Sequence, residues 1–328
     1  SASVGGITGV TGGNGGYTYT WANALTPLVD LGQNNDTAIN LIAGTYNIKV
    51  EDIKGCSDSA TIAVLEPNAL IIGDSGKIDV TCFGLSNGTA WVVESSITGG
   101  NGGYTYLWDD PLAQTTDTAK GLDLGEYKII VSDSKNCKDS VVLNIIEPNL
   151  LVIGDSGKTD VTCFGLSNGT AWVVESSITG GNGGYTYLWD DPLTQTTDTA
   201  KGLDLGQYNV IVSDSKNCKD SAVLNIIEPN LLVIGDSGKT DVTCFGLSDG
   251  KAWVVESSIT GGNGGYTYLW DDPLTQTTDT ANALAAGIYN IIVFDSILCS
   301  DTIAFTIQPA DSLSVLTEAK NLKCYNDN

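Results

Sequence analysis

Eight cysteines stand at positions 56, 82, 137, 163, 218, 244, 299 and 324, with gaps that alternate between 55 and 26 residues and close on 25. A zinc site needs two cysteines two to four residues apart, and no pair here is that close. Wide, regular spacing of cysteines in small units reads as a disulfide framework formed in an oxidising compartment. The recurring carboxylates are the second candidate for chemistry. Asp74, Asp79, Asp109 and Asp110 return in each unit. Calcium binds such oxygens between domains of extracellular arrays, and carboxylate pairs serve glycoside hydrolysis. EF-hand spacing is absent, however, and no stretch sets three carboxylates at short regular intervals. The expectation is therefore a solvated acidic surface with no metal site and no cofactor, calcium being the one ion worth testing. Tyr17, Tyr104, Tyr185 and Tyr266 follow glycine-rich turns and are candidates for stacking on sugars or for packing in a core.

These residues are carried by repeats, and the repeats must be settled before any local motif is read. The stretch Gly99–Trp108 returns unchanged at 180–189 and 261–270, and once more at Gly12–Trp21 with Thr20 in place of Leu107. Residues 68–148 and 149–229 differ at 8 of 81 positions, and 230–309 form a third, more diverged copy. Residues 1–67 match only the later part of a unit, lacking its first strand, and 310–328 match only the first strand of a following one. With no initiator Met, the chain reads as processed or as an excerpt. Glycines that open a helix could cradle phosphate, but these open a strand and read as a turn.

Each unit reads as all-β. Tyr104, Tyr106 and Trp108 share one strand face, with Thr105 and Leu107 on the other. Tyr127, Ile129 and Val131 share the face of a second strand. About seven short strands in 80 residues predict an immunoglobulin-like β-sandwich. The pattern Leu-x-x-Gly-x-Tyr at 41–46, 122–127, 203–208 and 284–289 predicts a tyrosine corner, whose hydroxyl bonds to nearby backbone. The short Glu-Pro-Asn linkers predict an elongated rod of tandem sandwiches.

Composition narrows the partners. There are 39 acidic and 15 basic residues, all of the latter lysines, for a net charge of −24. That balance argues against nucleic acid and anionic membrane. Histidine, the commonest general base, is absent, and an active site copied three times over is improbable, so the expectation is no enzyme. No apolar run approaches 18 residues.

Two disulfide patterns fit the cysteine gaps. Gaps of 55 give Cys82–Cys137, Cys163–Cys218 and Cys244–Cys299 within units, leaving Cys56 and Cys324 for bridges between repeats or between chains. Gaps of 25–26 pair all eight. The second pattern sets Cys137 and Cys163 two strands apart, about 50 Å at 3.3 Å per residue, and a bridge needs α-carbons within about 7 Å. The expectation is the within-unit pattern, with Cys82 and Cys137 at one pole.

The motifs Val80-Thr81-Cys82-x-Gly84-x-x-Asn87-Gly88, then Gly-Gly-x-Gly-x-Tyr-x-Tyr-x-Trp, Leu-x-x-Gly-x-Tyr, Asp133-x-x-Asn136-Cys137 and Glu147-Pro148 together resemble the SprB-type repeat of Bacteroidota cell-surface proteins. The resemblance implies immunoglobulin-like domains on giant surface proteins, exported by type IX secretion and serving gliding adhesion or filamentous appendages. A second resemblance is to the Asp-(Ser/Thr)-(small or aliphatic) O-glycosylation motif of that phylum. It implies modification at Thr37, Ser59, Thr118, Ser140, Thr199, Ser221, Thr280, Thr302 and Ser312. The functional expectation is a stalk or filament segment of an extracellular adhesive appendage, whose partners are neighbouring repeats and other copies of itself. The alternative is a set of adhesin modules that bind surface polysaccharide by avidity.

Overall fold

The computed structural model describes residues 9–26 and 31–318. Cys324 lies outside them. The chain forms two compact units, one of Ser1–Val80 with Gly84–Glu147, the other of Thr81–Phe83 with Pro148–Asn328. The first repeat contributes β1 (Thr18–Asn23), β2 (Gly44–Glu51) and β3 (Ser57–Val64). The second has β4 (Ser75–Ile78), β5 (Gly88–Val92), β6 (Thr105–Trp108), β7 (Thr118–Leu122), β8 (Gly125–Ser132) and β9 (Lys138–Ile145). The third has β10 (Ser156–Thr159), β11 (Gly169–Val173), β12 (Thr186–Trp189), β13 (Thr199–Leu203), β14 (Gly206–Ser213) and β15 (Lys219–Ile226). The fourth has β16 (Ser237–Thr240), β17 (Gly250–Val254), β18 (Thr267–Trp270), β19 (Thr280–Leu284), β20 (Gly287–Phe294) and β21 (Ser300–Ile307).

In the third repeat β10-β11-β13 form one antiparallel sheet and β12-β14-β15 the other. The order is that of an immunoglobulin-like sandwich, with the first, second and fourth strands of the repeat facing the third, fifth and sixth. Alternation along each strand supplies the core. Ala171 and Val173 from β11 and Leu203 from β13 meet Trp189, Val210, Val212 and Ile226 of the opposite sheet. The predicted faces hold: Tyr187 and Trp189 turn inward while Leu188 is half exposed, and Val210 and Val212 are fully buried. Trp189 is the central side chain. Its indole N–H donates to Thr197 O at 2.9 Å, so its one polar atom is satisfied inside the core.

The tyrosine corner is present. Tyr208 donates to Asp204 O at 3.2 Å, Tyr46 donates to Ile42 O at 2.9 Å, and the Tyr127 hydroxyl accepts the Asp123 N–H at 3.2 Å. Two glycines have steric reasons. A Cβ on Gly157 would sit 2.5 Å from the Trp172 ring that lies across it. Gly180 has φ +73°, and a Cβ there would fall 1.9 Å from Leu150 O, so the glycine-rich turn is where the lead-in segment of the repeat presses against it. That segment is not continuous with the strand that follows it. Val152 makes a single antiparallel bridge to Thr179, the chain passes Gly154, which is packed against Ser177 O, and pairing resumes at Ser156.

Truncating the core tryptophan leaves a cavity that these short strands cannot close. Trp189→Ala is expected to destabilise the third repeat by about 3–5 kcal/mol. Denaturant unfolding, followed repeat by repeat through hydrogen exchange, measures this loss.

Candidate functional site: the junction of consecutive repeats

Each repeat has two poles, set by the direction of its strands. In the third repeat Val161 N–H donates to Ile227 O at 3.0 Å and Gly165 N–H to Glu228 Oε2 at 2.9 Å. Cys163 therefore lies beside the end of β15. Cys218 stands just before Lys219, at the start of β15. Eight residues of strand, about 26 Å, separate the two ends. The within-repeat pair Cys163–Cys218 cannot close over that length. The expected pairs Cys82–Cys137 and Cys244–Cys299 fail for the same reason, since β9 and β21 also have eight residues. The expectation of Cys82 and Cys137 at one pole is thereby corrected.

The fourth repeat begins at the pole that Cys163 occupies. Its lead-in segment is held beside the β20–β21 hairpin: Asn230 O accepts Gly262 N–H at 2.8 Å, and Ile234 N–H donates to Asp301 Oδ2 at 2.9 Å. The hairpin carries Cys299, and Cys163–Cys299 is bonded, with α-carbons 5.6 Å apart. Cys82–Cys218 has the same separation of 136 residues and α-carbons 5.4 Å apart. Residues 81–83 group with the second compact unit, so both bridges lie inside it. A closed loop of this size contributes about 5 kcal/mol on the chain-entropy account. Among the described residues Cys56, Cys137 and Cys244 are thiols. Burial, with the Asp133 carboxylate beside it, pushes the Cys137 thiol up.

An aspartate organises each last hairpin, the one that carries Cys56, Cys137, Cys218 or Cys299. Asp295 is 2 % exposed, and its Oδ1 accepts the N–H of Ile297 and of Cys299, at 3.0 and 2.8 Å. Its Oδ2 accepts the backbone N–H and side-chain amide of Asn263, from the glycine-rich turn, at 2.8 and 2.9 Å. The same Asn263 amide reaches Thr162 O at 3.3 Å, and Asn182 reaches Thr81 O at 2.9 Å. One carboxylate thus fixes the hairpin, the turn and the amide that crosses to the residue before the partner cysteine. Burial pushes the Asp214 and Asp295 carboxyls up, but the donors win and hold both below the ordinary range. In the first repeat the hydrogen bonds from Asn14, helped by Cys56 and Lys54, hold Asp52 at about 2.

Of the other recurring acids, those equivalent to Asp79, Asp109 and Asp110 are also internal acceptors, Asp190 taking the Asn209 N–H at 2.7 Å, while the Asp74 side chain is exposed. Asp191 takes the N–H groups of Leu193 and Gln195 and the Gln195 amide. Asp160 takes the Lys158 ammonium and the Ile227 N–H. No group of three acids and cysteines suited to a metal ion occurs among the described residues. The tyrosines after the glycine-rich turns are partly buried against the cores of the complete repeats. Their hydroxyls bond to their own turn, as in Tyr185 to Gly180 O at 3.1 Å. Of the Asp-Ser/Thr positions, Ser59, Ser140, Ser221 and Thr302 are exposed on the last strands, and Ser312 lies exposed beyond them. Thr37, Thr118, Thr199 and Thr280 are half-buried. The aspartates of the last-strand group serve the fold directly, because Asp139, Asp220 and Asp301 each hold a lead-in N–H.

Residues 78–113, 157–194 and 238–275 match the SprB repeat family, a span that runs from the first strand past the third in each complete repeat. No curated protein sequence matches the chain. Among solved structures, the three N-terminal domains of the bacteriophage RB49 highly immunogenic outer capsid protein are 15 % identical, covering 74 % of this chain and all of that one, with a TM-score of 0.30. Invasin, a bacterial integrin-binding protein, is 14 % identical over 89 % of this chain and 72 % of its own, with a TM-score of 0.28. The N-terminal eight Ig domains of Down syndrome cell adhesion molecule are 8 % identical over 89 % and 64 %, with a TM-score of 0.24. At those scores the fold rests on the strand order.

Two outcomes test the junction. Unreduced peptide mapping is expected to yield Cys82–Cys218 and Cys163–Cys299 and no Cys163–Cys218 product. Because the folded carboxyl values lie below the ordinary 3.8, that of Asp52 at about 2, their stabilisation is present above 3.8 and is lost as pH falls through the folded values. Melting temperature with the bridges intact should therefore drop between about pH 5 and 2. Asp214→Asn with Asp295→Asn should flatten that drop.

Proposed function

We propose that this chain, which carries three SprB repeats, is a load-bearing shaft segment of an extracellular adhesive appendage. The observation that carries the reading is the overlap of the two disulfides. Cys82–Cys218 and Cys163–Cys299 share residues 163–218, so the bridges interlock instead of standing side by side. The covalent path from residue 82 to residue 299 covers 217 residues along the backbone (299 less 82). Through the bridges it covers the 55 between Cys163 and Cys218. At 3.5 Å per residue that is about 190 Å of stretchable chain in place of about 760 Å. A tether that must transmit pull without slack benefits from such a path. Near-identity of neighbouring repeats suits the same role, since copying a spacer adds reach without new chemistry.

Disulfides of this kind belong to an oxidising, extracellular setting. The recurring acids and tyrosines support a structural role as well, because they are engaged in turns, hairpins and lead-in segments. Display through type IX secretion and a part in gliding or cell capture accord with the SprB resemblance and complete the proposal.

Single-molecule stretching decides it. With handles attached just outside residues 82 and 299, so that the bridges stay intact, oxidised protein should reach full extension about 570 Å earlier than reduced protein. Equal lengths in the two states would sink the load-bearing reading.

A further inference from the structure

We infer that the outer edge of β6, and of its counterparts β12 and β18, is an interaction surface that pairs antiparallel with the same edge of a second copy of this chain. A bare sheet edge invites a further strand, and folded β proteins close most of their edges. Two three-stranded sheets give each complete repeat four edges, those of β4, β7, β6 and β9 in the second. Gln114 covers β7: its side chain donates to Lys120 O at 2.9 Å and accepts the Lys120 N–H at 3.0 Å. The chain through β4 closes β9. Ile72 N–H donates to Asp139 Oδ2 at 2.8 Å, Lys77 Nζ donates to Asn144 O at 2.6 Å, and Asp79 accepts the Ile146 N–H at 3.0 Å. Gln195 and Gln276, with Lys158 and Lys239, repeat these closures in the third and fourth repeats.

The edge of β6 is left open. Trp108 N–H donates away from the sheet, to Gln114 O at 3.0 Å, while Asp109 N–H turns back to Lys128 O at 3.1 Å. Alternation therefore directs the N–H and C=O of Tyr106 away from β8. Among the described residues neither group has a partner. An open slot of about 630 Å³ lies there, lined by Tyr104, Thr105, Tyr106, Thr115, Thr116 and Asp117. Trp189 and Trp270 make the same outward bonds, to Gln195 O and Gln276 O, so Tyr187 and Tyr268 stand as Tyr106 does.

Charge and symmetry name the occupant. The chain carries a net charge of −24, and two copies meet with least repulsion where carboxylates are absent. Residues 99–108 hold no charge and no proline, and the same residues return at 180–189 and 261–270. Antiparallel pairing of two such strands about Tyr106 exchanges two backbone hydrogen bonds. It also sets Leu107 of each copy opposite Thr105 of the other. Leu107, Leu188 and Leu269 are 41–49 % exposed, and the pairing covers them. A four-residue strand offers about 13 Å of contact, well short of a standard interface, so the pairing is weak and reversible.

The edge stands on strand geometry within each repeat and is independent of the load-bearing reading. The test is sedimentation equilibrium of the whole oxidised chain over a range of protein and salt concentrations. Reversible self-association is expected, and it should strengthen as salt screens the acidic chains from one another. Tyr106→Pro, made together with Tyr187→Pro and Tyr268→Pro, removes the outward N–H without touching a bond to the neighbouring strand. The matching alanine set loses the same side chains and keeps the N–H. Association of the proline set should be at least about tenfold weaker than that of the alanine set. Hydrogen exchange reads the same edge in the unaltered chain. The Tyr106, Tyr187 and Tyr268 amides should gain protection as protein concentration rises. Those of Leu107, Leu188 and Leu269, which face the neighbouring strand, should not change. A chain that stays monomeric as salt is raised, a proline set that associates like the alanine set, or tyrosine amides indifferent to concentration would each overturn the inference.

Discussion

A strand of eight residues is about 26 Å long, and a disulfide reaches about 7 Å between α-carbons. The covalent architecture follows from these two lengths. In the third repeat β15 parts Cys163 from Cys218, and the chain then starts its next repeat beside Cys163. The hairpin cysteine within reach is Cys299, one repeat further on. A sandwich with a shorter last strand, or a linker that reversed direction, would permit the internal bridge instead. Strand length and the brevity of the Glu-Pro-Asn linker together convert an ordinary cysteine framework into one that skips forward.

The bridge also needs its two sulfurs presented at fixed positions, and a buried carboxylate does this. Asp295 and Asp214 each satisfy donors from the hairpin and from the glycine-rich turn, so two loops distant in sequence become one rigid corner. A buried ion without a cationic partner is ordinarily costly. Here N–H donors from both loops replace its hydration, which is why the carboxyl is more acidic in the fold than in water. The lead-in segment closes the corner from the other side, and Gly180 is the point where a side chain would block it.

Much of this is legible in the sequence. The repeat period, the inward faces of Tyr187–Trp189 and Val210–Val212, and the tyrosine corner at Tyr208 follow from alternation and a spaced motif, both local properties. The cysteine pairing is not legible by the same means. Gaps of 55 and 26 are visible, but the bonded separation of 136 is one gap of 55 added to the period of 81, and only the direction of the lead-in segment selects it. That direction is hidden, because residues 149–153 look like the start of the strand at 156–159 when they are a separate bridge broken at Gly154. The corner aspartate leaves a readable trace, four residues before each of Cys56, Cys137, Cys218 and Cys299. The motif Asp133-x-x-Asn136-Cys137 carries that trace, but the donors that Asp133 gathers from the distant glycine-rich turn are not visible in it.

The overlap of the two bridges has one more result, which concerns damage. A cut anywhere between residues 82 and 163 leaves Cys82 joined to Cys218 across the break. A cut between 218 and 299 is spanned by Cys163–Cys299, and one between 163 and 218 by both bonds. Through this whole stretch no single hydrolysed peptide bond divides the molecule. Even a pair of cuts leaves residue 82 connected to residue 299. A protease acting outside the cell would have to strike once in each of the intervals 82–163, 163–218 and 218–299 before the two ends of this stretch parted.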